Sequence, residues 1–310
     1  MQAPPISFSP SGFHRIARRL AAQARRWLVA LPFLAAAGSG LSGGAQAEIA
    51  LVFGVYASDK PSAMVDQLRP TLDLLQTQMS ERLGETVAVK LLVARDYETG
   101  LADLMAARVD FARLGAASYV AAKDQAPGIE VLAAERYGES KIFEGVICVA
   151  TKSTIRQIGD LRGKTFAFGD EKSTLGRYIA QLYLARAGIT SADLKAFKYL
   201  ERHDRVGAAV ASGQFDAGAL EQTMFDKLVA AGAPIRAIAS FPTVTKPWVA
   251  RVDLAPRIKH AITRALVAIR DPAVLAALRF DGFETADDAD YEMTRASIKE
   301  NWRFFRISPS

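Results

Sequence analysis

Residues 165–188 read TFAFGDEKSTLGRYIAQLYLARAG. The apolar run TFAFG predicts a buried strand, and the apolar spacing that follows predicts a helix over 174–187. A strand that turns into a helix exposes backbone N–H groups at the helix N-terminus, where they and the helix dipole favour an anion. Ser173 and Thr174 place two hydroxyl donors at this joint, and Gly176 removes a side chain from the first turn, so that a ligand can approach the backbone. The same residues also fit an ordinary N-cap, where Ser and Thr are common. Local chemistry leaves both readings open.

Working outward, the strand–helix alternation holds along the chain. Strands are expected at 49–56, 87–94, 110–115 and 129–137, separated by helices over 64–84, 97–109 and 117–124. The pattern restarts with strands at 143–151, 165–169, 196–200, 216–220 and 235–241, and turns mostly helical after 247–251. Apolar strands separated by helices argue for βαβ units and an α/β fold with mainly parallel sheets flanked by helices. Without a low-complexity linker, the two halves read as two lobes tied by strand-like crossovers near 143–150 and 241–250. The expected division is 48–145 plus 246–310 for lobe 1 and 146–245 for lobe 2. In such folds the ligand sits at the carboxyl ends of the strands, here the cleft between the lobes.

The formal charge of +6 and pI near 9.4 suggest a nucleic-acid or membrane-surface partner until the N-terminus is read. Residues 1–47 hold Arg15, Arg18, Arg19, Arg25 and Arg26 and no acid, then an apolar run from Trp27 to Ala37, then Ala45-Gln46-Ala47. That is the plan of a cleaved secretory signal peptide. Its apolar run is about half of the roughly 20 residues a spanning helix needs. The five arginines account for all but one of the net charges, so no nucleic-acid partner is expected. The lone Cys148, in the apolar run GVICVA, reads as a buried small hydrophobe.

Catalytic sets are missing from the sequence. His203 and His260 lie in no H-x-x-x-H pattern and near no cysteine pair, so no metal is expected. From residue 48 onward there is no G-x-S-x-G elbow, Walker A or G-x-G-x-x-G motif, so no nucleotide cofactor is expected. DADYE (288–292) is acidic but lacks the glycine and spacing of a calcium loop.

DLRGKTFAFGDEKSTLG (160–176) resembles the signature stretch of the phosphonate/phosphite/phosphate substrate-binding proteins of ABC transporters, the PhnD-like family. ARDYETGLADLMAARVDFARLGAASYV (94–120), ERHDRVGAAVASGQFDAGAL (201–220) and PWVARVDL (247–254) are similar to further segments of that family, in the same order. The resemblance covers essentially all of 48–305. It implies a type II periplasmic binding-protein fold, location in the periplasm, a small anionic solute as ligand and a membrane permease as partner. A monomer without cofactor and without enzymatic activity is expected. The alternative is a sensor that docks on a membrane signalling receptor.

Residue by residue, Ser173 and Thr174 match the family's cradle hydroxyls, while its second serine is Leu175 here, which keeps only a backbone N–H. His203 matches a histidine that can donate to a ligand oxygen, or is a surface residue at a helix start. Tyr97 matches the first-lobe tyrosine, or serves the helix cap. An aromatic frequent in the family is replaced by Leu114, beside Arg113. Arg113 is either a bidentate oxyanion clamp or points away from the cleft. Glu221, at the carboxyl end of a strand, either recognises an amine or hydroxyl, or is solvated. Lys246 stands where the family's aminophosphonate binders carry an acid. It favours an additional negative charge and disfavours an ammonium, unless it is merely an exposed hinge charge. These departures argue against a standard aminophosphonate site.

Overall fold

The computed structural model describes residues 48–305; the expected signal peptide lies outside the described residues. Among the described residues, no helix is long and apolar enough to cross a membrane. The first run of elements is β1 (Glu48–Tyr56), α1 (Pro61–Leu83), β2 (Thr86–Ala94), α2 (Tyr97–Met105), β3 (Phe111–Arg113), α3 (Ala116–Gln125) and β4 (Glu130–Glu135). In α1, proline opens the helix, and Gly84 closes it in the left-handed conformation at φ 66°. Its buried stripe of Met64, Leu68, Leu72, Leu75 and Met79 follows the helical period. Each of these side chains contributes about 1.5–3 kcal/mol of burial.

The second run is β5 (Ile142–Ala150), β6 (Thr165–Phe168), a wide π turn at Thr174–Ile179 leading into α4 (Ala180–Arg186), β7 (Ala196–Tyr199), α5 (His203–Ala211), β8 (Ala217–Glu221), α6 (Gln222–Ala230) and β9 (Ile235–Val244). The chain then returns through β10 (Pro247–Ala250), α7 (Pro256–Val267), α8 (Pro272–Leu278), β11 (Phe283–Glu284), α9 (Glu292–Lys299) and α10 (Trp302–Phe305).

Two sheets result, ordered β11-β4-β10-β3-β1-β2 and β7-β6-β8-β5-β9. The expectation of mainly parallel sheets needs correction, because both are mixed. β1 pairs in parallel with β2 and β3, and β6 with β7 and β8. β10 runs antiparallel to β3 and β4, and β5 antiparallel to β8 and β9. The reason is connectivity: the strands that receive the chain as it crosses between sheets enter against the direction of the βα strands.

Side chains alternate across each sheet. In the first, Phe53, Phe111 and Trp248 pack toward α1, α7 and α8, whereas Ala112 and Val249 pack toward α2 and α3. In the second, Phe166, Phe168 and Phe241 meet Leu175, Ile179 and Leu184, while Cys148, Ala167 and Leu220 meet α5 and Met224. Cys148 is fully buried, and burial pushes its thiol pKa up to about 12.

The crossovers are 136–141, which precedes the expected 143–150 because that range is β5 itself, and 245–246, inside the expected 241–250; they run side by side. Thr245 N–H donates to the Lys141 carbonyl at 2.8 Å, and Glu135 N–H to the Lys246 carbonyl at 3.2 Å. The C-terminal helices do not all stay with the first sheet, as the 246–310 assignment supposed. Phe304 in α10 is buried against Phe168 and Phe197 of the second. Asn301 Nδ2 donates to Gln181 Oε1 at 2.8 Å.

Candidate functional site

The carboxyl ends of β1, β3, β6 and β8 converge on the space between the two sheets. A cavity of about 20 Å³ there is lined by Tyr97, Ser173, Thr174, Leu175, His203, Glu221 and Lys246, together with Tyr56, Gly115, Ala116 and Phe143. Arg113 lies beyond it. It lines a neighbouring cavity of about 30 Å³ with Tyr137, Met64 and Met224, and Glu221 borders both.

At the 173–176 turn, both the cap and the cradle geometry are present. Ser173 Oγ accepts from Gly176 N–H at 2.9 Å, an N-cap bond. Thr174 Oγ1 accepts from Ala117 N–H, at the start of α3 in the opposite lobe, at 2.8 Å. Each bond uses an oxygen lone pair and leaves the hydroxyl proton to donate. Gly176 has a different reason from the expected one: a Cβ there would lie 2.9 Å from Gly169 Cα. Its bareness admits the neighbouring backbone, not a ligand.

Tyr56 was missed by the sequence reading. Its hydroxyl accepts from Gly115 N–H and donates to Ser118 Oγ at 3.2 Å. Burial pushes its pKa up to about 12. Its ring stacks on Tyr97, with centroids 3.7 Å apart. Its position as the last residue of β1, at the carboxyl edge, was the available signal. Burial likewise holds the Tyr97 phenol neutral, well above its ordinary pKa, with Ser173 as a hydrogen-bonding neighbour.

His203 opens α5 and is 3% exposed. Its Nδ1 is buried with no hydrogen-bond partner among the described residues, and its Nε2 lies 3.9 Å from Glu221 Oε2. Burial lowers its pKa, opposed by the Glu221 charge. Lys246 Nζ contacts Glu221 Oε2 at 2.5 Å and sits 5.2 Å over the Phe143 ring. Burial works to raise the Glu221 pKa, but the Lys246 ammonium, followed by His203, overcomes it and holds the carboxyl at about 2. Lys246 is therefore neither an exposed hinge charge nor free to meet an anion unaided.

Strand alternation settles the direction of Arg113. It shares the face of Phe111, and its guanidinium grips Glu135 through Nε and through Nη2 at 3.0 Å. Trp248 Nε1 donates to the same carboxylate at 3.3 Å. A guanidinium held in this fork has its carboxylate already, which corrects the expectation of a free oxyanion clamp.

The lobes touch across the cleft at further points. His203 N–H donates to the Ser58 carbonyl at 3.1 Å, and Lys227–Asp59 and Lys172–Glu98 form ion pairs at 2.5 and 3.0 Å. Asp170, in the quoted stretch, accepts from Lys172 N–H at 2.7 Å. Burial pushes its pKa up to about 6. A raised carboxyl pKa contributes stability that is full below the ordinary 3.8 and lost as pH rises through 6. Asp170→Asn keeps the acceptor and removes the charge. Its Tm relative to wild type is expected to rise between about pH 4 and about pH 7. A flat difference over that range contradicts this account of Asp170.

The fold and cleft define a two-lobed solute-binding protein. Residues 53–291 match the family described as the ABC transporter, phosphonate, periplasmic substrate-binding protein. The chain belongs to this family, whose members are transporter binding components and not enzymes. It is 27% identical over 244 residues, 71% of this chain and 81% of the relative, to a probable ABC transporter phosphite binding protein, PhnD1, of Prochlorococcus marinus (strain MIT 9301). The structure of PhnD1 from that organism in complex with methylphosphonate superposes with TM-score 0.70 at 24% identity, covering 83% of this chain and 98% of that one. The binding protein component of an ABC phosphonate transporter (PA3383) from Pseudomonas aeruginosa gives TM-score 0.72 at 20% identity, with coverage of 84% and 88%. These likenesses establish the type II periplasmic binding-protein fold.

Proposed function

We propose that the protein captures a small phosphorus oxyanion, such as phosphite or a short phosphonate, between its lobes and presents it to the permease of an ABC transporter. It works as a monomer in the periplasm, after cleavage of residues 1–47. The moving bodies are 48–135 with 247–300, and 142–244 with the α10 tail, hinged at the paired crossovers. The observation that carries the reading is His203, which lines the cavity together with Ser173 and Thr174 and whose buried Nδ1 has no hydrogen-bond partner among the described residues. A buried polar atom without a partner costs about 1–3 kcal/mol, which an oxyanion bound there offsets. Around it stand neutral donors: the Ser173, Thr174 and Tyr97 hydroxyls and the backbone N–H groups of Thr174 and Leu175. Charge-assisted hydrogen bonds in a closed cleft give tight binding without a net positive side chain.

The test is a thermal-shift series on the mature protein with phosphite, phosphate, methylphosphonate, sulfate and methanesulfonate. A cognate ligand at about 100 times its Kd stabilises by about 2.7 kcal/mol. At least one phosphorus compound is expected to raise Tm by that margin. A response to the sulfur compounds alone would refute the ligand class.

A further inference from the structure

We propose that the Glu221–Lys246 pair is a built-in counter-ion that closes the cleft to charged substituents, so that the ligand is an oxyanion bearing a hydrogen or a short uncharged group. This deepens the reading above and rests on it.

Glu221 stands between the two cavities, its side chain 13% exposed, and Lys246 beside it is 12% exposed. Both carboxylate oxygens are engaged: Oε1 accepts from Thr223 Oγ1 at 3.1 Å, and Oε2 faces Lys246 at 2.5 Å and His203 at 3.9 Å. A carboxylate at this place without Lys246 would be a natural receptor for a ligand ammonium. Here that role is taken by the chain's own ammonium, supplied by the second crossover.

A ligand ammonium that sought Glu221 would have to expel Lys246, leaving that charge buried over Phe143 with no partner. A ligand carboxylate that sought Lys246 would strand Glu221, and Arg113 beyond it is already committed to Glu135. Either exchange leaves one uncompensated buried charge, which is strongly unfavourable. An uncharged group disturbs neither partner. The first cavity, which both Glu221 and Lys246 line, carries Ala116, Phe143 and Leu175 on its wall, surfaces suited to a methyl group.

The test is calorimetric titration of wild type, Lys246→Met and Glu221→Gln with methylphosphonate, 2-aminoethylphosphonate and phosphonoacetate. Wild type is expected to prefer methylphosphonate over both charged compounds by about 100-fold. In Lys246→Met the preference should move toward 2-aminoethylphosphonate by about 10-fold or more, because Glu221 is left without a cation. Glu221→Gln should move it toward phosphonoacetate instead. Opposite directions in the two variants distinguish an ion pair from a steric wall. Wild-type affinities within about threefold of one another, whatever the variants do, overturn the proposal. So do ratios that stay unchanged in both variants. Wild type that binds no phosphorus compound overturns the functional reading, and this inference with it. Binding with the wrong ratios overturns this inference alone.

Discussion

Glu135→Ala is expected to destabilise the protein by about 3–5 kcal/mol, the cost of breaking a buried ion pair by removing one partner. Glu135 is fully buried at the end of β4 and accepts from both Arg113 and Trp248. Without it, the Arg113 guanidinium stays in the interior as an uncompensated charge, and the indole N–H loses its acceptor. Replacing both partners, Arg113→Met with Glu135→Leu, should recover most of the loss, because paired buried charges are often replaceable by apolar groups of similar volume. The measurement is the urea midpoint of each variant at constant slope. An alanine variant within about 0.5 kcal/mol of wild type would show that the pair carries no weight. Ligand affinity in the Met/Leu variant separates the remaining issue: as a structural pair, Arg113–Glu135 should leave it nearly unchanged.

The largest effect on binding is expected from Ser173→Ala combined with Thr174→Val. Hydrogen bonds to a charged group contribute about 1.5–3 kcal/mol each. Losing two therefore weakens binding of the phosphorus oxyanion roughly 100- to 10,000-fold. Both residues also make structural bonds, to Gly176 N–H and Ala117 N–H. The unliganded protein should thus lose about 1 kcal/mol as the cap is removed. Thr174→Ser keeps the donor and should keep the affinity. An unchanged Kd in the double variant, with the fold intact, excludes these hydroxyls from the site.

Much of this was legible in the sequence because it is local. The order of strands and helices follows from hydrophobic period, and the 173–174 hydroxyls sit at a strand–helix joint that needs no tertiary information. What was hidden depends on strand insertion. Arg113 and Glu135 meet only because β10 enters between β3 and β4, with Trp248 opposite both Arg113 and Ala133. No local period announces that an antiparallel strand from 134 residues further along will arrive there. Lys246 reads as a lone hinge charge until the crossover brings it to Glu221, 25 positions away. The helix expected over 97–109 stops at Met105 because Ala107 turns left-handed, at φ 55°, releasing Val109 and Phe111 to the core. Tyr56 was overlooked because an aromatic at the end of an apolar strand looks like core, and its ring is indeed buried there.

The docking of α10 bears on how the protein can be taken apart. Residues 142–244 are continuous in sequence and carry a complete sheet, which invites their use as a transplantable module. They are not self-sufficient. The Phe304 ring fills a place against Phe168 and Phe197, with centroids 5.6 and 5.8 Å away, and Asn301 holds Gln181. An excised segment would expose that aromatic face to water and, with it, a surface prone to self-association. Chimeras that exchange binding specificity between relatives should therefore carry the tail together with the lobe it covers.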